Sequence, residues 1–283
     1  MPGLKAASLP RSSCLLGHGS GFPFRQVAAP DDRRQGPEMD SNTASLGPAV
    51  VFGFSGAIGR ALAARLAASG VYSSVWGGSR SEPADVPPGV IPFRFDPADE
   101  ASLSAISASL PAPPALVLVA TGLLHDPARG IAPEKSWKAL DGAAMAEVFA
   151  ANSIAPALIA KHMLPLLPRD RRAVFAVLSA RVGSIGDNRL GGWHSYRASK
   201  AALNMLVRNF AIELRRSHPQ ALAVALHPGT VDSRLSAPFQ RGVAAGKLFS
   251  PDQSAGYLLN VLDRLTPEDS GGLYAWDGTC LPE

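Results

Sequence analysis

The chain has 283 residues, enough for one large domain or two small ones, and a sizeable core is possible either way. Hydrophobic residues make up 46% and charged residues 18%, the balance of an ordinary globular protein. The net charge of +4 is mild and no basic patch is interleaved with aromatics, which argues against nucleic acid as a partner. No apolar run reaches the ~18–20 residues of a membrane span, so no membrane partner is expected. Cys14 and Cys280 lie near opposite ends. They give no disulfide framework and no metal-ligand spacing, so no metal site is expected and a reducing, cytoplasmic setting is the simplest reading.

Residues 1–47 are rich in Gly, Pro and Ser and lack sustained periodicity. Up to Pro30 there are basic residues (Lys5, Arg11, Arg25) and no acidic ones. That composition fits a plastid or mitochondrial transit peptide over residues 1–38, a disordered tail, or an upstream start with translation beginning at Met39. On each reading the folded domain spans 48–283.

Ala49–Phe52 reads as a short buried strand broken by Gly53-Phe54-Ser55-Gly56-Ala57-Ile58-Gly59. An Ala- and Leu-rich helix from about Arg60 to Ser69 follows, closed by Gly70. Strand, glycine turn and helix N-terminus together suit a phosphate. Glycine lets the backbone approach, and the free N–H groups and the helix dipole favour an anion. Gly53, Ser55, Gly56, Ile58 and Gly59 are the candidate cradle. The next strand, Ser74–Gly77, ends at Gly78-Ser79-Arg80. A dinucleotide site reads the adenosine ribose here, with a carboxylate for NAD or an arginine for the 2′-phosphate of NADP. Arg80 with no acid beside it favours NADP over NAD, the other reading being a solvated loop arginine.

Val90–Phe95 gives a third strand with Asp96 at its end, 99–110 a helix, and Ala115–Ala120 an apolar run expected of a central parallel strand, terminated by Thr121-Gly122. A helical region at roughly 143–166 contains Asn152, and Ala173–Leu178 is a fifth strand ending at Ser179. A Gly-rich loop then leads to Ser195-Tyr196-Arg197-Ala198-Ser199-Lys200 and an amphipathic run to Arg216 with Leu203, Leu206, Phe210 and Leu214 as its expected buried stripe. Tyr196 and Lys200, four apart, share a helix face. An ammonium beside a phenol favours the phenolate, so the pair suits proton transfer with a lowered tyrosine pKa. Leu222–Leu226 is a sixth strand ending at Pro228-Gly229-Thr230-Val231-Asp232-Ser233, a helix follows near 252–264, and 272–276 is a last strand. The alternation predicts an α/β Rossmann fold in one domain. Its doubly wound parallel sheet would have about seven strands and helices on both faces, with ligands at the carboxyl ends of the strands. Gly53, Arg80, Asp96, Thr121, Ser179 and Pro228 all fall on that edge.

From about residue 48 to the end these motifs resemble the short-chain dehydrogenase/reductase superfamily. Tyr196-Arg197-Ala198-Ser199-Lys200 matches its Tyr-x-x-x-Lys motif and Pro228-Gly229-Thr230-Val231 its Pro-Gly turn. Ser179-Ala180-Arg181-Val182-Gly183-Ser184-Ile185 with Gly191-Gly192 looks like the C-factor and sniffer-type carbonyl reductase branch. The resemblance implies that Tyr196 donates a proton to a carbonyl oxygen, Lys200 holds the nicotinamide ribose, and Asn152 anchors a proton-relaying water. It also implies cofactor contacts at Thr121, Gly122, Pro228, Gly229, Val231 and Ser233 and, by analogy, a homodimer or homotetramer. Two positions depart from the pattern. Ala57 stands where the middle glycine belongs, and Ala180 stands where the carbonyl-polarising serine belongs. Ser179 is the favoured substitute, with Ser184 the alternative. Thr121-Gly122 also alters the family's Asn-Ala-Gly.

The leading expectation is an NADP-dependent oxidoreductase for a carbonyl or alcohol substrate, small and modestly hydrophobic because Phe239, Leu248 and Phe249 suggest an apolar lid. The alternative is an NADP-binding regulatory or signalling protein of C-factor type with little turnover, which Ala180 supports. An epimerase or dehydratase would need a larger substrate domain. His194, two residues before Tyr196, is either an entrance residue or a solvated loop histidine.

Overall fold

The structure, a computed structural model, describes residues 45–81 and 85–282. The expected extension therefore lies outside the described residues up to position 44. Leu46 already bridges Tyr72 in parallel fashion.

In chain order the elements are β1 (Ala49–Phe52), α1 (Ala57–Ser69), β2 (Val75–Ser79), β3 (Val90–Arg94), α2 (Glu100–Ser109), β4 (Leu116–Val119), α3 (Gly142–Phe149), α4 (Ala155–Met163), β5 (Ala173–Leu178), α5 (His194–Ser217), β6 (Ala221–His227), β7 (Thr230–Val231), β8 (Leu248–Phe249), α6 (Pro251–Arg264), β9 (Leu273–Ala275) and β10 (Cys280–Leu281). The main sheet has eight strands in the order β10-β9-β6-β5-β4-β1-β2-β3, parallel except for the antiparallel edge strand β10. About seven strands were expected; the eighth is the two-residue β10, too short to leave a pattern in the sequence. β7 and β8 form a separate two-stranded ribbon. Pro92 is tolerated because β3 is an edge strand.

The central strands are apolar throughout because both faces are covered. Alternation sorts their side chains into two cores. Val50, Phe52, Val117, Val119, Phe175 and Val177 face one layer with Leu103, Ile159, Met163, Leu203 and Val207. Val51, Leu116, Leu118, Val174 and Leu226 face the other with Leu62, Leu66, Leu258 and Val261. Removing one such fully buried Leu side chain costs about 2–5 kcal/mol, so neither layer is dispensable.

Two expectations need correction here. α5 buries Leu203, Val207, Ala211 and Leu214, while Leu206 and Phe210 are only half-buried, because Tyr196, Ser199 and Lys200 turn the inward face by one position. The stretch Gly142–Leu166 is long and apolar enough by length and composition to cross a membrane, against the expectation of none. Within it Ile159, Ala160 and Met163 are fully buried in the first core. Cys280 is disulfide-bonded, and Cys14 lies outside the described residues.

Candidate active site

β1 runs straight into the glycine turn, and the space around that turn explains its sequence. Gly53 has φ +85°, and a β-carbon there would lie 2.7 Å from the Ala120 carbonyl carbon at the end of β4. A β-carbon at Gly59 would lie 2.3 Å from Gly53 O. These two positions require glycine because the first turn of α1 packs on the strand ends without side chains between. Gly56 is the N-cap of α1, with extended φ, and no side chain caps the helix. Ala57, the departure from the usual pattern, is the first helical residue.

In front of this turn lies a cavity of about 540 Å³. Gly53, Ser55, Gly56, Arg80, Asp96, Thr121 and Gly122 line it, which brings together seven of the residues expected to bind a cofactor. Ile58, Gly59, Tyr196, Lys200, Pro228, Gly229, Val231 and Ser233 are not part of its wall. Gly59 supports the turn from behind, while further along the sheet edge Pro228 O accepts from Ser254 Oγ at 2.9 Å. Gly229 has φ +77°, and a β-carbon there would meet Phe249 at 2.6 Å and Trp276 at 3.1 Å. Val231 pairs with Phe249 across the small ribbon, and Ser233 faces the Ser236 hydroxyl. Arg80 is exposed and forms no hydrogen bond or ion pair with a described residue. Asp96 Oδ1 accepts from Ala98 N at 2.9 Å.

The residues fit a dinucleotide. Gly53 and Gly59 form a cradle that a β-carbon would fill, a helix N-terminus points at the cavity, and the buried Thr121 Oγ1 at its wall has no hydrogen-bond partner.

Gly122 joins the cavity to the chemistry. A β-carbon there would lie 3.6 Å from Asn152 Oδ1 and 3.8 Å from Lys200 Nζ. Asn152 sits in a π-helical turn, Ala150–Ile154, between α3 and α4. Such turns carry one extra residue and recur at functional sites. Its amide is wholly buried and fully used. Oδ1 accepts from Leu123 N at 2.7 Å, while Nδ2 donates to Leu123 O at 2.8 Å and to Ser199 Oγ at 3.0 Å. Ser199 in turn donates to Tyr196 O at 2.8 Å. Lys200 Nζ donates to Leu178 O at 2.7 Å and lies 5.9 Å from the centre of the Tyr196 ring. Gly183 permits this packing, since a β-carbon there would be 2.7 Å from Lys200 Cβ.

Burial decides the electrostatics. It pushes the Tyr196 phenol up to about 12 and the Lys200 ammonium down to about 7, because the charged form of each loses water. The expectation that Lys200 lowers the tyrosine pKa is not met here; loss of water on burial sets the direction of the shift. Tyr196 therefore keeps its proton at neutral pH, as a proton donor must.

The substitute donor also needs correction. Ser179 Oγ donates to Asn204 Oδ1 at 2.6 Å, so its single hydrogen is committed beneath α5. Ser184 Oγ donates to Pro282 O at 2.5 Å. Ala180, by contrast, packs in a small apolar cluster with Tyr196 and Leu124, flanked by Val182, Trp193, Leu235 and Phe239. Strand parity carries the signal that was missed: Ser179 shares the direction of Phe175 and Val177, which face α5.

Other contributing residues carried no local signal. Ser199 and Leu123 act only through contacts with distant partners, and Glu134 reaches Ser195 from 61 positions away. Trp193 is the only non-glycine residue with positive φ (49°) among the described residues, a conformation that costs about 1–2 kcal/mol. His194 begins α5 and is half-buried.

Comparison with known proteins agrees with this architecture. The short chain dehydrogenase family profile matches residues 48–243. C-signal of Myxococcus xanthus is 38% identical over 150 residues, covering 52% of this chain and 84% of that protein. A 1-hydroxy-2-glutathionyl-2-methyl-3-butene dehydrogenase of Rhodococcus sp. is 38% identical over 130 residues, 46% of this chain and 54% of that enzyme, so the match spans about half its length. Among solved structures, an NADPH-bound carbonyl reductase from chicken fatty liver superposes with a TM-score of 0.73 at 26% identity, over 85% of this chain and all of that one. The carbonyl reductase Sniffer of D. melanogaster shares the fold, with a TM-score of 0.69 at 18% identity over 85% of this chain and all of that one.

Proposed function

Because the chain belongs to the short-chain dehydrogenase family, whose members are nicotinamide-dependent oxidoreductases, we propose that it interconverts a carbonyl and an alcohol on a small, apolar substrate with NADP as cofactor. One observation carries the reading. Lys200 and Asn152 converge beside Gly122, which also lines the cavity in front of the glycine turn, and the Tyr196 ring lies 5.9 Å from Lys200 Nζ. The cavity residues Gly53, Ser55 and Gly56 hold the pyrophosphate, and Arg80 takes the 2′-phosphate. The bound nicotinamide supplies or accepts the hydride.

The protein's own groups manage the proton and the surroundings. In the reducing direction Tyr196 Oη, protonated at neutral pH, gives its proton to the carbonyl oxygen. Lys200 next to it, poised near neutrality, supplies positive charge to the phenolate that forms. Asn152 holds Leu123 at the cavity wall and Ser199 against the turn that carries Tyr196, so the geometry of the acid is set before substrate arrives. Leu124, Val182, Leu235 and Phe239 around Tyr196 exclude water and favour an apolar substrate. With alanine at 180 no side chain there polarises the carbonyl, so turnover is slow for the family: one such donor is worth about 2.7–4 kcal/mol.

The second reading, a regulatory nucleotide-binding protein with little turnover, rests on Ala180 and on the committed hydroxyls of Ser179 and Ser184. Absorbance loss of NADPH, and separately of NADH, with a panel of carbonyls distinguishes the two, with Tyr196→Phe as control. Turnover with NADPH that vanishes in the variant supports the oxidoreductase. Cofactor binding with no turnover on any carbonyl supports the regulator.

A further inference from the structure

The first turn of α5 carries the proposed acid, yet the helix does not hold that turn by itself. Its N-cap residue, Trp193, makes no side-chain cap, and the first turn contains no acidic residue. Both deficits are met from outside. Glu134, on the long connection between β4 and α3, is buried with 7% of its surface exposed. Its Oε2 accepts from Ser195 N at 3.2 Å, and its Oε1 accepts from Ser195 Oγ. Its backbone carbonyl accepts from Trp193 N at 2.5 Å. One residue thus supplies an acceptor for an orphan helical N–H, a negative charge at the positive end of the helix, and a backbone anchor for the residue before it.

The anchored residue is strained. Trp193 is left-handed at φ 49°, ψ 44°, a conformation that a bulky side chain keeps only when its surroundings impose it. Trp193 also presents its ring edge-on to Tyr196, at 6.3 Å between centroids, and packs against Phe239 at 4.9 Å. Glu134 therefore holds, in one grip, the turn that carries the acid and an aromatic that packs on it.

We propose that Glu134 is a positioning residue for Tyr196, acting through Ser195 and Trp193. This rests on the reading of Tyr196 as the acid. The chain also links the grip to the cofactor side. The connection that bears Glu134 begins at Thr121-Gly122-Leu123, the segment bonded to Asn152 at the cavity wall.

The test compares Glu134→Ala, Glu134→Gln and Ser195→Ala, alone and combined, in the full chain, with 4-nitrobenzaldehyde and NADPH as the assay pair. Loosening the first turn displaces the phenol, so Glu134→Ala lowers kcat roughly 10–100-fold. KM for NADPH stays within about threefold, since the cradle is untouched. Glu134→Gln keeps an acceptor oxygen in the same place and restores most of kcat. The double variant Glu134→Ala with Ser195→Ala is no slower than the worse single one, because both cut one contact. A kcat for Glu134→Ala within about twofold of the parent, measured on folded protein, overturns the proposal. So does a glutamine variant as slow as the alanine one.

A readout without turnover separates this from failure of the oxidoreductase reading. In hydrogen exchange, the amides of residues 193–197 exchange faster in Glu134→Ala, the rest of the sheet is unchanged, and glutamine restores protection. Should the parent protein reduce no carbonyl, that local pattern still supports the grip. Exchange that is unchanged, or faster everywhere, overturns it.

Discussion

Ser179 and Asn204 are joined by a 2.6 Å hydrogen bond from the serine hydroxyl to the amide oxygen, and that bond removes the serine from the chemistry. The position beside Tyr196 is occupied by the methyl of Ala180 instead. Ala180→Ser adds the missing donor and raises kcat, by up to ~10²-fold if the hydroxyl reaches the carbonyl oxygen. Ser179→Ala leaves kcat nearly unchanged and lowers stability by about 1–3 kcal/mol, because Asn204 loses its partner. Steady-state kinetics and thermal unfolding of the two variants check both halves. Loss of turnover in Ser179→Ala would reinstate that serine as the donor.

The buried pair gives stability a definite pH profile. Lys200 falls from 10.5 to about 7 in the folded state, so between those values the unfolded chain binds a proton that the native one does not. Stability therefore rises with pH across that window and is lost as pH falls through it. Tyr196 moves the other way, from 10.0 to about 12, so stability is retained below pH 10 and falls with pH above it. Urea midpoints across this range show a rise followed by a decline. In Lys200→Met the rising limb flattens; a midpoint that climbs equally in that variant rejects the assignment.

His227 extends the argument to acid. Burial chiefly pushes it from 6.5 down to about 4, and Arg181 adds to the effect. Stability is then lost as pH falls from about 6.5 toward 4, the window in which the unfolded histidine alone is protonated. His227→Gln shows a weaker acid slope in the same denaturation series.

The proposed preference for NADP rests on Arg80. It lines the cavity and has no partner among the described residues, so a phosphate meets no competitor. Arg80→Ala raises KM for NADPH roughly 10–100-fold, the worth of a charge-assisted contact of about 1.5–3 kcal/mol, and leaves NADH unchanged. Equal effects on the two cofactors refute this role.

The glycine turn tolerates no side chain at 59. Gly59→Ala forces a methyl against Gly53 O, an overpacking that costs about 1–3 kcal/mol and pushes α1 away from the strand end. Melting temperature and NADPH binding fall together. Gly70→Ala tests a different cost, because Gly70 has open space around it but sits at φ +65°. Its variant is destabilised by backbone strain, with cofactor binding intact.

Much of this was legible because local chemistry and tertiary role coincide. Leu116–Val119 reads as a central strand because both its faces are covered, and Tyr196 and Lys200 read as a pair because four residues are one helical turn. Arg80, Thr121 and Gly122 were placed from the rule that parallel sheets bind at their carboxyl edge, and the cavity lies there. Other features failed to show where the decisive partner is remote. Nothing near Glu134 points to Ser195, and Ser184 meets Pro282 from 98 positions away. The pKa of Tyr196 was misjudged because spacing reveals a neighbouring charge and says nothing of how much water is lost.

The π-turn at Ala150–Ile154 leaves a mark on the whole helical stretch that follows it. One additional residue in a single turn advances every later side chain by about 100°, the angle per residue of an α-helix. α4 is thus read in a shifted frame: Ile159 and Met163 meet the sheet, while Ile154 is left 53% exposed. Deleting one alanine from Ala150-Ala151 would restore an unbroken spiral and also rotate the far half of the stretch out of phase with its core. Residue count in this stretch is therefore under tighter constraint than residue identity, and length variation here should be the rarest change the protein can absorb.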